Sequence, residues 1–218
     1  MVIEKMLDAT KHLWEGFYEH PFVKGIADGS LSDERFKHYL IQDTLYLKDY
    51  ARTYLIGAAK AEDVETMIFL SKIGNGMVSS EDDVNKRNLR RLGVSIDDVY
   101  KTKLSLDNLS YVSYMERVAY EGGTAEALAA VMPCGLSYEY LAKRMVEENP
   151  DCVNDEKYGD FISNYIRDAF CNNNAAYIDM IERLTKDYSE EQINKLVDIF
   201  VVCAEYEMKF WNLSWALE

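Results

Sequence analysis

Residues 32–55, SDERFKHYLIQDTLYLKDYARTYL, decide the architecture. Ser32 is placed to cap a helix. Asp33 and Glu34 follow in the first turn, where carboxylates meet the positive end of the helix dipole. From there Phe36, Tyr39, Leu40, Asp43, Tyr46, Leu47, Tyr50, Tyr54 and Leu55 recur at helical spacing and share one broad face. Asp43 is the odd member, because an unpaired acid on an apolar stripe costs on the order of several kcal/mol.

The same period extends outward. Ile3, Met6, Leu7, Leu13, Trp14 and Phe17 predict a helix that EHPFV, residues 19–23, breaks. A further helix is expected over residues 63–91, interrupted or bent near GNGM at 74–77. LGVSIDDVY, residues 92–100, reads as a loop with a new start at Ser95. Shorter helices are expected over 108–120, 124–132 and 135–148, then a loop at EENPDCVND, residues 147–155. Another helix is expected over about 156–172 and one more to about 186. Ser189-Glu190-Glu191-Gln192 fits a capping box, with Tyr188 and Ile193 spaced as a hydrophobic staple, opening a last helix that nearly reaches the C-terminus. No repeat or linker interrupts the chain. The expectation is one all-α domain over residues 1–218.

Composition narrows the function classes. The 218 residues are 48% hydrophobic, enough for one sizeable core. Only 3 prolines and 11 glycines occur, too few for an all-β or disordered chain. A formal charge of -14 speaks against nucleic acid and anionic membranes as partners. No early apolar run suggests a secretory signal, and the four cysteines form no C-x-x-C pair. A reduced, cytoplasmic setting is expected.

Tyrosine is over-used, at 16 residues, although every buried hydroxyl needs a partner. Asp43, Tyr46 and Tyr50 stand at i, i+3 and i+7; Cys134 and Tyr138 at i and i+4; Glu207, Phe210 and Trp211 share a face of the last helix. VMPCGLSYEY, residues 131–140, is read as the start of a helix, with Pro133 in the first turn. A cysteine there would meet free N–H groups and the helix dipole, both of which lower a thiol pKa and favour the nucleophilic thiolate. Gly135 would let a ligand approach the backbone. Metal is disfavoured: none of His12, His20 and His38 completes a Glu-x-x-His pair. No Gly-rich phosphate loop and no Ser-His-Asp elbow is present.

Five separated motifs, YLIQDTLYLKDYAR (39–52), SYVSYM (110–115), MPCGLSYEYLAKRM (132–145), YGDFISNY (158–165) and YEMKFWNLSW (206–215), together resemble the TenA family of thiaminase II or aminopyrimidine aminohydrolases. Where many members carry tryptophan in the fourth motif, this chain has Phe161. The resemblance implies a haem-oxygenase-like helical bundle without haem, no cofactor, and assembly as a homotetramer. Cys134 places the chain in the family's cysteine class.

The activity so implied is hydrolysis of 4-amino-5-aminomethyl-2-methylpyrimidine to the hydroxymethylpyrimidine, or cleavage of thiamine, by covalent cysteine catalysis. Cys134 would add to the ring. Glu207, with Tyr165 nearby, would supply a proton to the ring nitrogen. Asp43 would accept from the exocyclic amine. Tyr46, Tyr111 and Tyr138 would line or cap the pocket, with Phe17 and Phe210 helping to enclose it. Motif alignment leaves Tyr158 as a rival to Tyr165, and spacing favours Glu207 over Glu205. The competing readings are a PqqC-like enzyme on the same fold, a transcriptional regulator, and a protein that binds a pyrimidine or thiamine without turnover. Three dispersed histidines and the acidic charge speak against the first, and the missing basic recognition helix against the second.

Overall fold

The computed structural model describes residues 1–79 and 83–218. Helices α1 (Val2–Glu19) and α2 (Pro21–Ala27) meet at the predicted break, where His20 is extended and Pro21 takes the first helical position. The short α2 is an element that periodicity alone did not separate. Ser32 caps α3 (Asp33–Ala59) by accepting from the Arg35 N–H at 3.3 Å. Its stripe is buried at Phe36, Tyr39, Leu40, Asp43, Tyr46, Tyr50 and Tyr54, whereas Leu55 is turned outward.

The expected long helix over 63–91 is two helices. α4 (Val64–Ser79) continues without interruption through the GNGM segment, and α5 (Val84–Arg91) starts after an Asp83 cap. Residues 80–82, which that expectation included, lie outside the described residues. Gly74 is no helix breaker: a Cβ there would sit 3.0 Å from the Ala51 carbonyl oxygen, so glycine lets α4 lie close on α3.

Ser95 caps α6 (Ile96–Lys101) as expected, and Ser105 caps α7 (Leu106–Glu121). The two helices expected over 124–132 and 135–148 are one, α8 (Thr124–Glu148), with Pro133 inside it. Proline removes one helical N–H and crowds the carbonyl four residues back, but α8 is packed by neighbours over its whole length and continues. Its central residues, Ala127 through Pro133, are all buried.

A short 3-10 turn (Pro150–Asn154) follows, then α9 (Gly159–Ile166) and α10 (Asp168–Leu184). The break between them falls at the extended Arg167 rather than near residue 172. Ser189 and Gln192 form the expected capping box at the start of α11 (Glu190–Ala216).

The long helices α3, α7, α8 and α11 pack on one another, with α1 against α11, α4 against α3 and α10 against α8. No strand occurs among the described residues. The centre of the core is aromatic. Trp211 of α11 lies parallel to Tyr39 of α3 at 5.8 Å and contacts Tyr138 of α8 at 5.1 Å and Phe22 of α2 at 5.6 Å. Offset and edge contacts of this kind each add about 0.5–1.5 kcal/mol beyond area burial. Phe161 joins the cluster edge-on to Tyr39 and Phe36, so the family's usual tryptophan position is a packing position here. Among the described residues no helix is long and apolar enough to cross a membrane.

Candidate functional site

A cavity of about 650 Å³ opens between the long helices α3 and α8 and a rim of shorter segments. Asp43, Tyr50 and Tyr54 of α3 and Cys134, Gly135 and Tyr138 of α8 form its deep wall. The rim comes from Met77 of α4, Asp83 to Arg87 around the start of α5, and Asn164 to Asn174 across the α9–α10 break. The 3-10 turn at 150–154 is not part of it.

Cys134 lies mid-helix, not at a helix start. It therefore has no free N–H groups or dipole terminus beside it, and the expected thiolate stabilisation is absent. Burial pushes the thiol well above its ordinary value, and the nearby carboxyls of Glu207 and Asp43 push it further; the neighbouring hydroxyls of Tyr46 and Tyr50 offset only part. The resting group is the thiol.

Side chains clamp the backbone around it. The Tyr50 hydroxyl donates to the Val131 carbonyl at 2.8 Å, Ser137 Oγ donates to that of Cys134 at 3.1 Å, and Asn174 Nδ2 of α10 donates to that of Gly135 at 3.0 Å. These bonds steady a helix that proline weakens. Gly135 is required for the last: a Cβ there would stand 2.7 Å from Asn174 Oδ1.

Two buried carboxyls face the sulfur from opposite helices. Asp43 accepts from Asn85 Nδ2, and burial raises it from the ordinary value to about 7, with Asp83 adding to the rise. Glu207, only 2% exposed, accepts from the Tyr111 hydroxyl at 2.8 Å. Burial lifts it to about 8, with Asp43 adding to the rise, against the lowering effect of hydrogen bonds from Tyr111 and Cys134. Glu205, its rival by spacing, is exposed.

The structure separates the remaining expected residues into two sets. Tyr138 and Tyr165 line the cavity, with ring centroids 4.7 Å apart, and the Tyr138 hydroxyl is 2.8 Å from that of Tyr39. Tyr158 is fully buried elsewhere and donates to the Leu31 carbonyl at 2.6 Å, so of the two candidate tyrosines Tyr165 is the one at the cavity. Tyr46 and Tyr111 do not line the open volume. They stack behind Cys134, Tyr46 on Tyr50 at 5.0 Å and Tyr111 on Tyr206 at 5.1 Å. Phe17 and Phe210 are core residues that do not reach the cavity.

Sequence reasoning missed Asn85, Asn174, Tyr54 and Tyr177, all at the cavity wall. Tyr54 extends the Asp43–Tyr50 stripe by one turn and was within reach of the periodicity. The asparagines carry no signal in sequence, since an asparagine in a helix reads as solvated. No histidine lines the cavity, and no group of His, Cys, Asp and Glu suited to a metal ion occurs among the described residues.

Comparison with known proteins follows the same lines. The chain is 33% identical to the aminopyrimidine aminohydrolase of Halalkalibacterium halodurans, covering 96% of this chain and 93% of that one. It is 31% identical to the aminopyrimidine aminohydrolase of Bacillus subtilis, covering 99% and 90%. A TenA homologue from P. horikoshii OT3 superposes with a TM-score of 0.89 at 26% identity over 99% of both chains. A domain with a haem-oxygenase-like fold from Shewanella denitrificans matches in fold alone, with a TM-score of 0.76 at 12% identity over 98% of this chain and 92% of that one. The model of the TENA/THI-4/PQQC family matches residues 7–216, and the chain belongs to that family.

Proposed function

We propose that the protein hydrolyses 4-amino-5-aminomethyl-2-methylpyrimidine to the hydroxymethylpyrimidine and ammonia, in thiamine salvage, with Cys134 as nucleophile. The observation that carries this reading is the placement of Cys134 on the cavity wall beside two buried carboxyls, Asp43 and Glu207, both of which burial raises well above the ordinary carboxylate range. The relatives named aminopyrimidine aminohydrolase support the same substrate class.

The chemistry follows from the protonation states. A protonated thiol cannot attack until its proton has somewhere to go. Glu207 stands beside Cys134, so its carboxyl can hand a proton to the ring nitrogen and take the thiol's in exchange. The net step adds sulfur to the ring carbon beside the substituted one and hydrogen to the ring nitrogen. Asp43 accepts an N–H of the exocyclic amine and so strengthens its electron donation. That donation expels the aminomethyl nitrogen, which is bound as an ammonium, as ammonia and leaves an exocyclic methylene. Water adds to the methylene and gives up a proton to solvent, the C–S bond breaks, and the ring proton returns to sulfur through Glu207. One hard displacement becomes several easier steps. Tyr138 and Tyr165 present ring faces to the substrate, and Tyr46 and Tyr111 hold Cys134 and Glu207 from behind.

Thiamine cleavage uses the same residues with the thiazolium as leaving group, and a cavity of about 650 Å³ leaves room for it. The reading also has the protein act as a homotetramer, testable by sedimentation equilibrium. Exposed Val64, Met67, Ile68 and Val78 on α4 would supply an apolar face. The deciding experiment is turnover of the aminomethylpyrimidine and of thiamine by wild type and Cys134→Ala. Turnover by wild type that is lost in a folded Cys134→Ala supports the mechanism. Full turnover in that variant refutes it, and a folded wild type inert on both favours a pyrimidine-binding protein.

A further inference from the structure

Asn85 sits in the first turn of α5, two residues after the Asp83 cap, and is 4% exposed. Asn85 lines the cavity beside Asp43. The amide turns its NH2 edge to Asp43, and Nδ2 donates to Oδ2. That bond fixes the direction of the other end. Asn85 Oδ1 is left as a buried acceptor with no hydrogen-bond partner among the described residues. Buried polar atoms are rarely left without a partner, and an orphan at a cavity wall marks a place where a ligand donor belongs. Two acceptor groups, one from α3 and one from α5, thus stand side by side in the cavity wall.

We propose that Asn85 is a specificity-determining residue: its Oδ1 accepts one N–H of the substrate's exocyclic primary amine while Asp43 accepts the other, so the site selects 4-aminopyrimidines over 4-oxopyrimidines. This inference rests on the reading given under Proposed function. A primary aromatic amine carries two N–H donors, and Asp43 alone would leave the second unmet. A 4-oxo ring places a carbonyl oxygen at the same point, facing two acceptors with nothing to donate. Sites built around hydrogen bonds reject the analogue that lacks the donor far more strongly than apolar pockets reject a change of size.

The test is calorimetric binding of two probes that are not consumed, 4-amino-5-hydroxymethyl-2-methylpyrimidine and its 4-oxo counterpart. Wild type is expected to prefer the amino probe by ~100-fold or more. Asn85→Leu is expected to weaken the amino probe by about 10- to 100-fold and to leave the 4-oxo probe within about 3-fold, collapsing the ratio. Asn85→Ala serves as the second variant, with circular dichroism confirming that each is folded. An unchanged ratio in the folded variants, in a wild type that binds the amino probe and turns over the aminomethylpyrimidine, overturns this inference and leaves the proposed function standing. A wild type that neither binds the probe nor turns over substrate overturns both.

Discussion

Replacing Glu207 by Gln should change how stability depends on pH, by an amount the structure sets. In the folded chain Glu207 is buried and raised to about 8, whereas in the unfolded chain it titrates at the ordinary 4.5. The folded carboxyl binds its proton more tightly, so its favourable contribution is complete below about pH 4.5 and is lost as pH rises through about 8. Between about pH 5 and pH 7 folding takes up nearly one proton at this site. At 1.36 kcal/mol per pH unit, wild type loses about 2.5 kcal/mol of stability over that interval through this group. Glutamine has no such titration, and its amide oxygen can still accept from Tyr111. Any fixed cost of the substitution cancels when the pH dependence is compared. Urea unfolding followed by tryptophan fluorescence at about pH 5, 6 and 7 gives both curves. The variant should gain about 2.5 kcal/mol on wild type across the series. Curves that stay parallel to within about 0.5 kcal/mol would show that Glu207 is not held protonated, and the proton exchange with Cys134 would fall with it.

Other consequences are simpler to read. Alkylation of Cys134 by iodoacetamide, followed by mass spectrometry, should be slow at neutral pH and climb only in alkaline solution, because burial and two carboxyls oppose the thiolate; rapid labelling at neutral pH would contradict this. Gly135→Ala should destabilise by about 1–3 kcal/mol and depress turnover, since its Cβ meets Asn174 Oδ1 at 2.7 Å. Adding Asn174→Ala should recover part of the stability in thermal melts. Tyr158→Phe should cost about 1–3 kcal/mol by stranding the Leu31 carbonyl while leaving kcat/KM unchanged, whereas Tyr165→Ala should lower kcat/KM. Ser32→Ala should cost about 1 kcal/mol in chemical denaturation, the usual value of a lost N-cap.

Helix starts were legible at Ser32, Ser95 and Ser189, where a short polar side chain caps them, but the cap at Asp83 was read as the interior of a longer helix. The buried stripe of α3 was legible from its period, and with it Asp43, Tyr46 and Tyr50. Proline and glycine misled. Pro133-Cys134-Gly135 looks like a boundary because local rules see only the missing N–H and the missing side chain. The structure answers with bonds from remote helices, from Tyr50 and Asn174, to the carbonyls on either side. The expected low thiol pKa failed with the boundary, since burial replaced the dipole as the dominant effect. Gly74 likewise marked a close crossing with α3 rather than an interruption. Asn85 was out of reach for another reason. Its partner Asp43 is 42 residues away, and nothing local tells a helix-start asparagine that faces solvent from one that faces a carboxylate.

The unequal lengths of the helices around the cavity bear on exchange kinetics. Its deep wall belongs to α3 and α8, of 27 and 25 residues, whereas its rim is drawn partly from α5 and α9, of 8 residues each. Amide protons in the deep wall exchange only with global unfolding, while those of the two short helices exchange through cheaper local openings. A bound pyrimidine would slow exchange at α5 and α9 first, so the protection pattern of the rim reports occupancy even when no chemistry follows.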